Sequence, residues 1–143
     1  MYTVAELLKS KGTEVHTIEP GRSVLEAARL MNLHRIGSLV VTDGQRIVGI
    51  ITERDILTRV VARERPPSTT PVLEVMTADV LTCEPSTSLS DLRTLMHQRR
   101  IRHIPVLDDA GRLAGMVSIG DLNAAEARNL SHTIHYLEAY ITG

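Results

Sequence analysis

The stretch Gly49-Ile50-Ile51-Thr52-Glu53-Arg54-Asp55 returns as Gly115-Met116-Val117-Ser118-Ile119-Gly120-Asp121, 66 residues later (121 − 55). Each copy is a small residue, two β-favouring apolar residues, a hydroxyl, two further residues and an aspartate. That order predicts a buried strand ending at the hydroxyl and a helix beginning within the next turn. A hydroxyl, a carboxylate and the free N–H groups of a helix start then share one small space, which suits ribose hydroxyls and phosphate oxygens. The same spacing is close to a capping box, and similar pairs stand at Thr3/Glu6, Ser23/Glu26 and Ser88/Asp91. Capping accounts for the motif taken alone. It does not account for the repetition of everything around it.

That repetition runs through most of the chain. Val80-Leu81-Thr82-Cys83-Glu84-Pro85 answers Val15-His16-Thr17-Ile18-Glu19-Pro20, and Ser88 to Met96 answers Ser23 to Met31. Arg100-Ile101 answers Arg35-Ile36, and Ile104-Pro105-Val106 answers Leu39-Val40-Val41. The predicted unit is β-α-β-β-α, present twice. Its elements are a strand over 15–18, a helix capped by Ser23, strands over 38–41 and 47–51 joined through Asp43-Gly44, and a helix over 55–62. A short helix over 3–11 precedes the first unit, and Val72 to Met76 echoes it before the second. The chain divides into 1–65 (first repeat with its N-terminal helix), a Pro/Ser/Thr linker over 66–71 expected to be extended, 72–125 (second repeat) and 126–143 (a C-terminal helical extension).

Composition narrows the function. The apolar content is 43%, yet there is no Phe or Trp and only three Tyr, so the core is aliphatic, as in packed sheet–helix layers. A net charge of −1 and so few aromatics argue against nucleic-acid binding, leaving Arg99, Arg100 and Arg102 as a local anion site or a solvated cluster. No apolar run approaches the roughly 20 residues that span a bilayer. Glu6, Lys9 and Lys11 break up any signal-like start, so the expected location is cytoplasmic. The single Cys83 allows no internal disulfide, and its expected place is a buried strand. His132 and His135 are spaced i, i+3 but lack a third close ligand and read as surface residues. No Gly-rich loop, Ser-His-Asp order or carboxylate pair suggests catalysis.

The Val-x-Thr-x-x-Pro entry, the Arg-Ile-x-x-Ile-Pro-Val strand and the Gly-x-x-Ser/Thr-x-x-Asp exit, in this order and twice over, resemble a tandem CBS-domain (Bateman) module of the stand-alone two-repeat type. The resemblance covers roughly Val4 to Leu122. It implies an α/β (α+β) fold in which two β-α-β-β-α repeats pack sheet to sheet about a pseudo-twofold axis, leaving two clefts. Such clefts take AMP, ADP or ATP, and sometimes NAD or S-adenosylmethionine, with the exit-motif hydroxyl and aspartate on ribose and phosphate. Carried over, cleft A comprises Ile50, Thr52, Arg54 and Asp55, completed by Thr77, Leu81, Ile101, Arg102 and His103. Cleft B comprises Met116, Ser118, Gly120 and Asp121, completed by Lys11, His16, Ile36, Gly37 and Ser38.

The two clefts depart from one another. Gly37-Ser38 stands where the other repeat has Arg102-His103, and Gly120 stands where it has Arg54. Charge therefore favours cleft A as the tighter nucleotide site, with cleft B left to Lys11 and Arg35. The combined expectation is a non-enzymatic regulatory module that senses an adenine nucleotide and requires no resident cofactor or metal. It is homodimeric, through the helices over 23–33 and 88–98 and with Tyr136 and Tyr140 reaching to the second subunit, and it signals to an effector protein. Alternatives are a structural dimerisation module with empty clefts, an S-adenosylmethionine binder and a nucleic-acid binder.

Overall fold

The computed structural model describes the backbone of residues 2–142, and all their side chains except those of residues 129–136 and 140–142. The expectations placed on His132, His135, Tyr136 and Tyr140 lie outside the described side chains. The first repeat runs β1 (Thr17–Ile18), α2 (Val24–His34), β2 (Ser38–Asp43), β3 (Arg46–Thr52) and α3 (Glu53–Ile56), which continues as a π-helical segment over Leu57–Val61. Helix α1 (Val4–Lys11) precedes it, and α4 (Val72–Val75) follows the linker. The second repeat runs α5 (Leu89–Arg99), β4 (His103–Leu107), β5 (Leu113–Ser118) and α6 (Ile119–Thr142).

Helices α1, α2 and α5 each start where a capping residue ends the extended chain. Thr3, Ser23 and Ser88 each accept the N–H three residues on, giving one orphan donor of the first turn a partner. Both α2 and α5 stop at an arginine in the left-handed region, Arg35 and Arg100, each at φ 54°. The next residue, Ile36 or Ile101, then donates back to Met31 or Met96. Such a turn lifts the chain from the helix layer into the next strand.

The first sheet has the order β1-β2-β3, with β1 parallel and β3 antiparallel to β2. The second has only β4 and β5; the segment expected as its first strand is reduced to one parallel bridge, Cys83 to Val106. The register is nonetheless that of the first repeat, since Ile18 pairs with Val41 and both partners lie 65 residues earlier (83 − 18 and 106 − 41). Cys83 is buried there, and burial, with the Glu84 charge, pushes its thiol up to about 11, an unreactive packing group.

The two cores exchange their first helices. Val4, Leu7 and Leu8 of α1 pack with Leu92, Met96, Ile104, Val106 and Val117 of the second repeat. Val72, Val75 and Met76 pack with Val24, Ala27, Met31, Leu39 and Val41 of the first. Backbone bonds fix the exchange: Val4 N–H donates to the Thr87 carbonyl and Val72 N–H to the Arg22 carbonyl. Sequence neighbours 1–65 are thus not one packing unit. The linker is also not extended throughout. Thr69 and Thr70 N–H both turn back to the Pro66 carbonyl, and Thr70 is buried against the start of α2.

The repeats pack sheet to sheet about a pseudo-twofold axis. Leu39 and Val41 face their own helices, while Val40 and Ile50 point the other way and are also buried. The approach explains Gly49 and Gly115. A Cβ on Gly49 would sit 2.5 Å from Met76 Sδ, and one on Gly115 would sit 2.8 Å from Leu8 Cδ2, so each repeat's exchanged helix rests on the other repeat's bare strand. Among the described residues no helix is long and apolar enough to cross a membrane.

Candidate functional site

A cavity of about 280 Å³ opens between the repeats at cleft B. Lys11, His16, Ile36, Gly37, Ser38, Met116, Ser118 and Asp121 line it, as the sequence assigned them; Gly120 does not, being exposed in the first turn of α6. Glu14, Val15, Arg35 and His103 complete the wall. The assignment of His103 to cleft A is corrected by this geometry. His103 begins β4 and reaches across to Gly37, whose Cβ would lie 3.6 Å from the imidazole and 3.2 Å from the Glu53 carboxylate. A side chain at 37, the position equivalent to Arg102, would crowd the space that His103 and Glu53 use.

Strand β5 ends at Ser118, and α6 starts on the reciprocal box expected from the motif. Asp121 N–H donates to Ser118 Oγ (3.1 Å), and Ser118 N–H donates to Asp121 Oδ2 (2.8 Å). Lys11 Nζ donates to the same Oδ2 at 2.6 Å and to the Met116 carbonyl at 2.6 Å. Burial alone would raise the Asp121 carboxyl, but the Lys11 ammonium and the Ser118 N–H outweigh it and hold it below its ordinary value. At His103 burial prevails instead: it lowers the pKa, Glu53 opposing and Arg102 assisting, so the imidazole favours the neutral form. His16 stacks on His34 with ring centroids 3.8 Å apart, which fixes one wall.

Cleft A carries the same box and is closed. Thr52 N–H donates to Asp55 Oδ2 (3.0 Å), and Asp55 N–H donates to Thr52 Oγ1 (3.2 Å). The second carboxylate oxygen accepts the Thr77 hydroxyl (3.3 Å), and Arg59 Nε lies 3.9 Å from it. Ile50 and Thr77 exchange both backbone bonds at 2.9 Å, which draws the residue after α4 onto β3. Arg59 NH1 donates to the Val75 and Met76 carbonyls, so its guanidinium caps the end of α4. Of the remaining residues assigned here, Leu81 and Ile101 pack on the second core, while Arg54 and Arg102 are exposed. Asp55 is only 7% exposed. The charge ranking that favoured cleft A overlooked Arg59, whose counterpart 66 residues on is Ala125.

Two copies of one fold unit, each ending in the same box, thus leave one cleft sewn shut and one open. The CBS domain profile matches this chain twice, over residues 4–62 and 72–128. The chain belongs to the CBS domain family. The CBS domain-containing protein YhcV of Bacillus subtilis (strain 168) is 38% identical over 119 residues, covering 83% of this chain and 84% of YhcV. A solved protein with CBS domains from Burkholderia ambifaria MC40-6 superposes with a TM-score of 0.84 at 45% identity, covering 87% of this chain and 93% of its own. The CBS domain pair of protein MJ0100, solved with 5′-methylthioadenosine and S-adenosyl-L-methionine, superposes with a TM-score of 0.80 at 26% identity over 90% of this chain and 98% of that one.

A larger depression of about 920 Å³ lies elsewhere on this CBS pair, between β1, α2 and the β2–β3 turn. It is an open surface groove away from the exit motifs, and Arg22 and Glu26 on its rim pair with each other. Size is outweighed by chemistry here, since cleft B brings the capping carboxylate of Asp121 and the cations of Lys11 and Arg35 to one cavity.

Proposed function

We propose that this CBS pair is a regulatory, non-catalytic module that binds one adenine nucleotide per chain (AMP, ADP or ATP, with NAD as the extended variant) in cleft B. The observation that carries the reading is the Ser118/Asp121 box facing a cavity whose walls also hold Lys11, Arg35 and His103. An ionised aspartate accepts from both hydroxyls of a vicinal diol. Lys11 and Arg35 supply charge-assisted bonds to phosphate, and Ile36 and Met116 offer apolar surface to a purine. The volume, about 280 Å³, lies just under the roughly 300–1,000 Å³ of small-molecule sites. The adenosyl ligands of MJ0100 support the class of ligand. A nucleotide that favours one arrangement of the two repeats shifts that equilibrium, which is how the module signals to an effector protein. Assembly as a homodimer and a cytoplasmic setting belong to the same reading. Leu33, Leu57, Val61 and Leu73 are all more than half exposed around α2 to α4, which supports a second copy there.

Calorimetric titration with AMP, ATP, NAD and S-adenosylmethionine tests the reading. Saturation at one adenine nucleotide per chain is expected. At a hundredfold excess over Kd the bound state gains about 2.7 kcal/mol of stability. No heat and no change in melting temperature at millimolar nucleotide would leave a structural module with an unfilled cleft. Tighter binding of S-adenosylmethionine would replace the ligand.

A further inference from the structure

Ile50 and Met116 occupy equivalent positions in the two repeats, as do Asp55 and Asp121. In cleft A, Thr77 joins the equivalent pair: its N–H donates to the Ile50 carbonyl at 2.9 Å and its hydroxyl to Asp55 Oδ1 at 3.3 Å. In cleft B one group makes both joins, Lys11 Nζ donating to the Met116 carbonyl and to Asp121 Oδ2. The first stitch is partly backbone and cannot leave without unpairing the Ile50–Thr77 bridge. The second is an ammonium on a flexible four-carbon stem, its side chain 28% exposed, on the last residue of α1. Gly12 follows at φ 102° and ends the helix there.

We propose that Lys11 is a removable occupant of the ligand position in cleft B: it releases Asp121 to an incoming ribose and transfers to the ligand's anionic group, so that the site selects phosphorylated nucleosides over neutral ones. This rests on the nucleotide reading above and adds the basis of its selectivity. The exchange is lopsided by charge. A nucleotide takes the carboxylate with its diol and returns an anion to the ammonium, so both charged groups keep charge-assisted partners. A nucleoside takes the carboxylate and returns nothing. The released ammonium must then settle among Arg35 and the polar wall, with only Glu14 as a second carboxylate lining the cavity. Lys11 thus opposes a neutral ligand and assists an anionic one. In cleft A the Thr77 backbone and the Arg59 guanidinium are not displaceable in this way, so that site takes neither.

The test is titration of AMP and of adenosine into the full chain and into Lys11→Ala, with Lys11→Gln as a second variant that retains a donor for Met116 but no charge. Thermal melts of each variant check that it folds. Wild type should prefer AMP by about tenfold or more, the equivalent of about 1.4 kcal/mol. In both variants AMP should weaken while adenosine binds as well as, or better than, in wild type, and the preference should collapse. A parallel loss of AMP and adenosine, or a wild type without preference, would overturn the role of Lys11 while leaving nucleotide binding intact. Binding of neither ligand to folded wild type would instead remove the nucleotide reading on which it rests.

Discussion

Asp55 and Asp121 are equivalent in sequence and should separate sharply on mutation. Replacing Asp55 with alanine removes the reciprocal half of a capping box and leaves the Thr52 N–H and the Thr77 hydroxyl without their acceptor in a site where Asp55 itself is 7% exposed. Loss of a cap costs about 0.5–2 kcal/mol, and a buried donor left unpaired about 1–3 kcal/mol. The two overlap at Thr52, so about 2–4 kcal/mol is expected for the whole change. For a chain of this size each kcal/mol lowers Tm by about 2–4 °C, which puts the drop at about 4–16 °C. Asp121→Ala removes the same half-box, but its side chain is 25% exposed and water can reach the freed Ser118 N–H. Its stability cost should be about 1–2 kcal/mol, cap and partly screened Lys11 pair together.

Nucleotide affinity should rank the pair in reverse. Asp121→Ala is expected to abolish AMP binding, and Asp55→Ala to change it little at a temperature where the variant is folded. Differential scanning calorimetry with and without AMP reads both quantities on the same samples. A Tm shift on adding AMP that survives in Asp121→Ala and vanishes in Asp55→Ala would mean that the closed cleft opens in solution, and the structural role given to Asp55 and Arg59 would be wrong.

Three further outcomes follow from the packing. Gly49→Ala should destabilise more than Gly115→Ala, by about 1–3 kcal/mol in urea melts, because its Cβ would meet the Thr77 carbonyl at 2.9 Å as well as Met76, whereas Gly115 meets only the rotatable end of Leu8; equal losses would argue against the exchanged-helix contacts. The folded-state pKa of His103 lies below its ordinary 6.5, with burial the largest cause, so neutral His103 contributes stability that is present above about pH 6.5 and lost as pH falls below it. Melting temperatures between pH 5 and 8 should therefore fall more steeply on the acid side for wild type than for His103→Gln. Replacing Leu33 and Leu57 together by serine should halve the mass seen by light scattering at micromolar protein without lowering Tm of the monomer, since both side chains are more than 60% exposed within one chain; a wild type already monomeric would place the dimer elsewhere or nowhere.

Much of the fold was legible because the repeat doubles every signal. The caps Thr3, Ser23 and Ser88, the strand pairs and the exit boxes all stand where residue chemistry put them. What escaped has a common physical cause: it depends on which repeat a segment packs against, and sequence adjacency says nothing about that. Val4, Leu7 and Leu8 show an amphipathic α1 but not whose core it enters. The prolines at 66, 67 and 71 mark a linker, but the curl that buries Thr70 comes from bonds to the Pro66 carbonyl. In the site, Met116, Ser118 and Asp121 stand in the exit motif itself, while Lys11, His16, Ile36, Gly37 and Ser38 were assigned only through the family resemblance. The closure of cleft A was not legible, because Arg59 lies four residues beyond Asp55 on the π-helical segment and outside any repeated motif. The nearest sequence clue was the mismatch of Arg59 with Ala125.

The exchanged helices also explain how two similar repeats arrive at unlike clefts. Each cleft is bounded on the far side by the C-terminal end of the helix lodged in the opposite core, or by the residue just after it. After α4 the segment is short and taut: Met76 ends the helix and Thr77 is already paired with Ile50. In α1, which is twice as long, a full turn lies between the buried Leu8 and the cleft, and only Lys11 at its end reaches Met116 and Asp121. A four-residue helix delivers backbone to its cleft, and an eight-residue helix delivers the tip of a side chain. Backbone pairing is fixed once the repeats have docked, whereas a side chain can exchange partners at little cost to the core. The difference in helix length is therefore what gives a symmetric scaffold one join made by backbone and one made by the tip of a side chain.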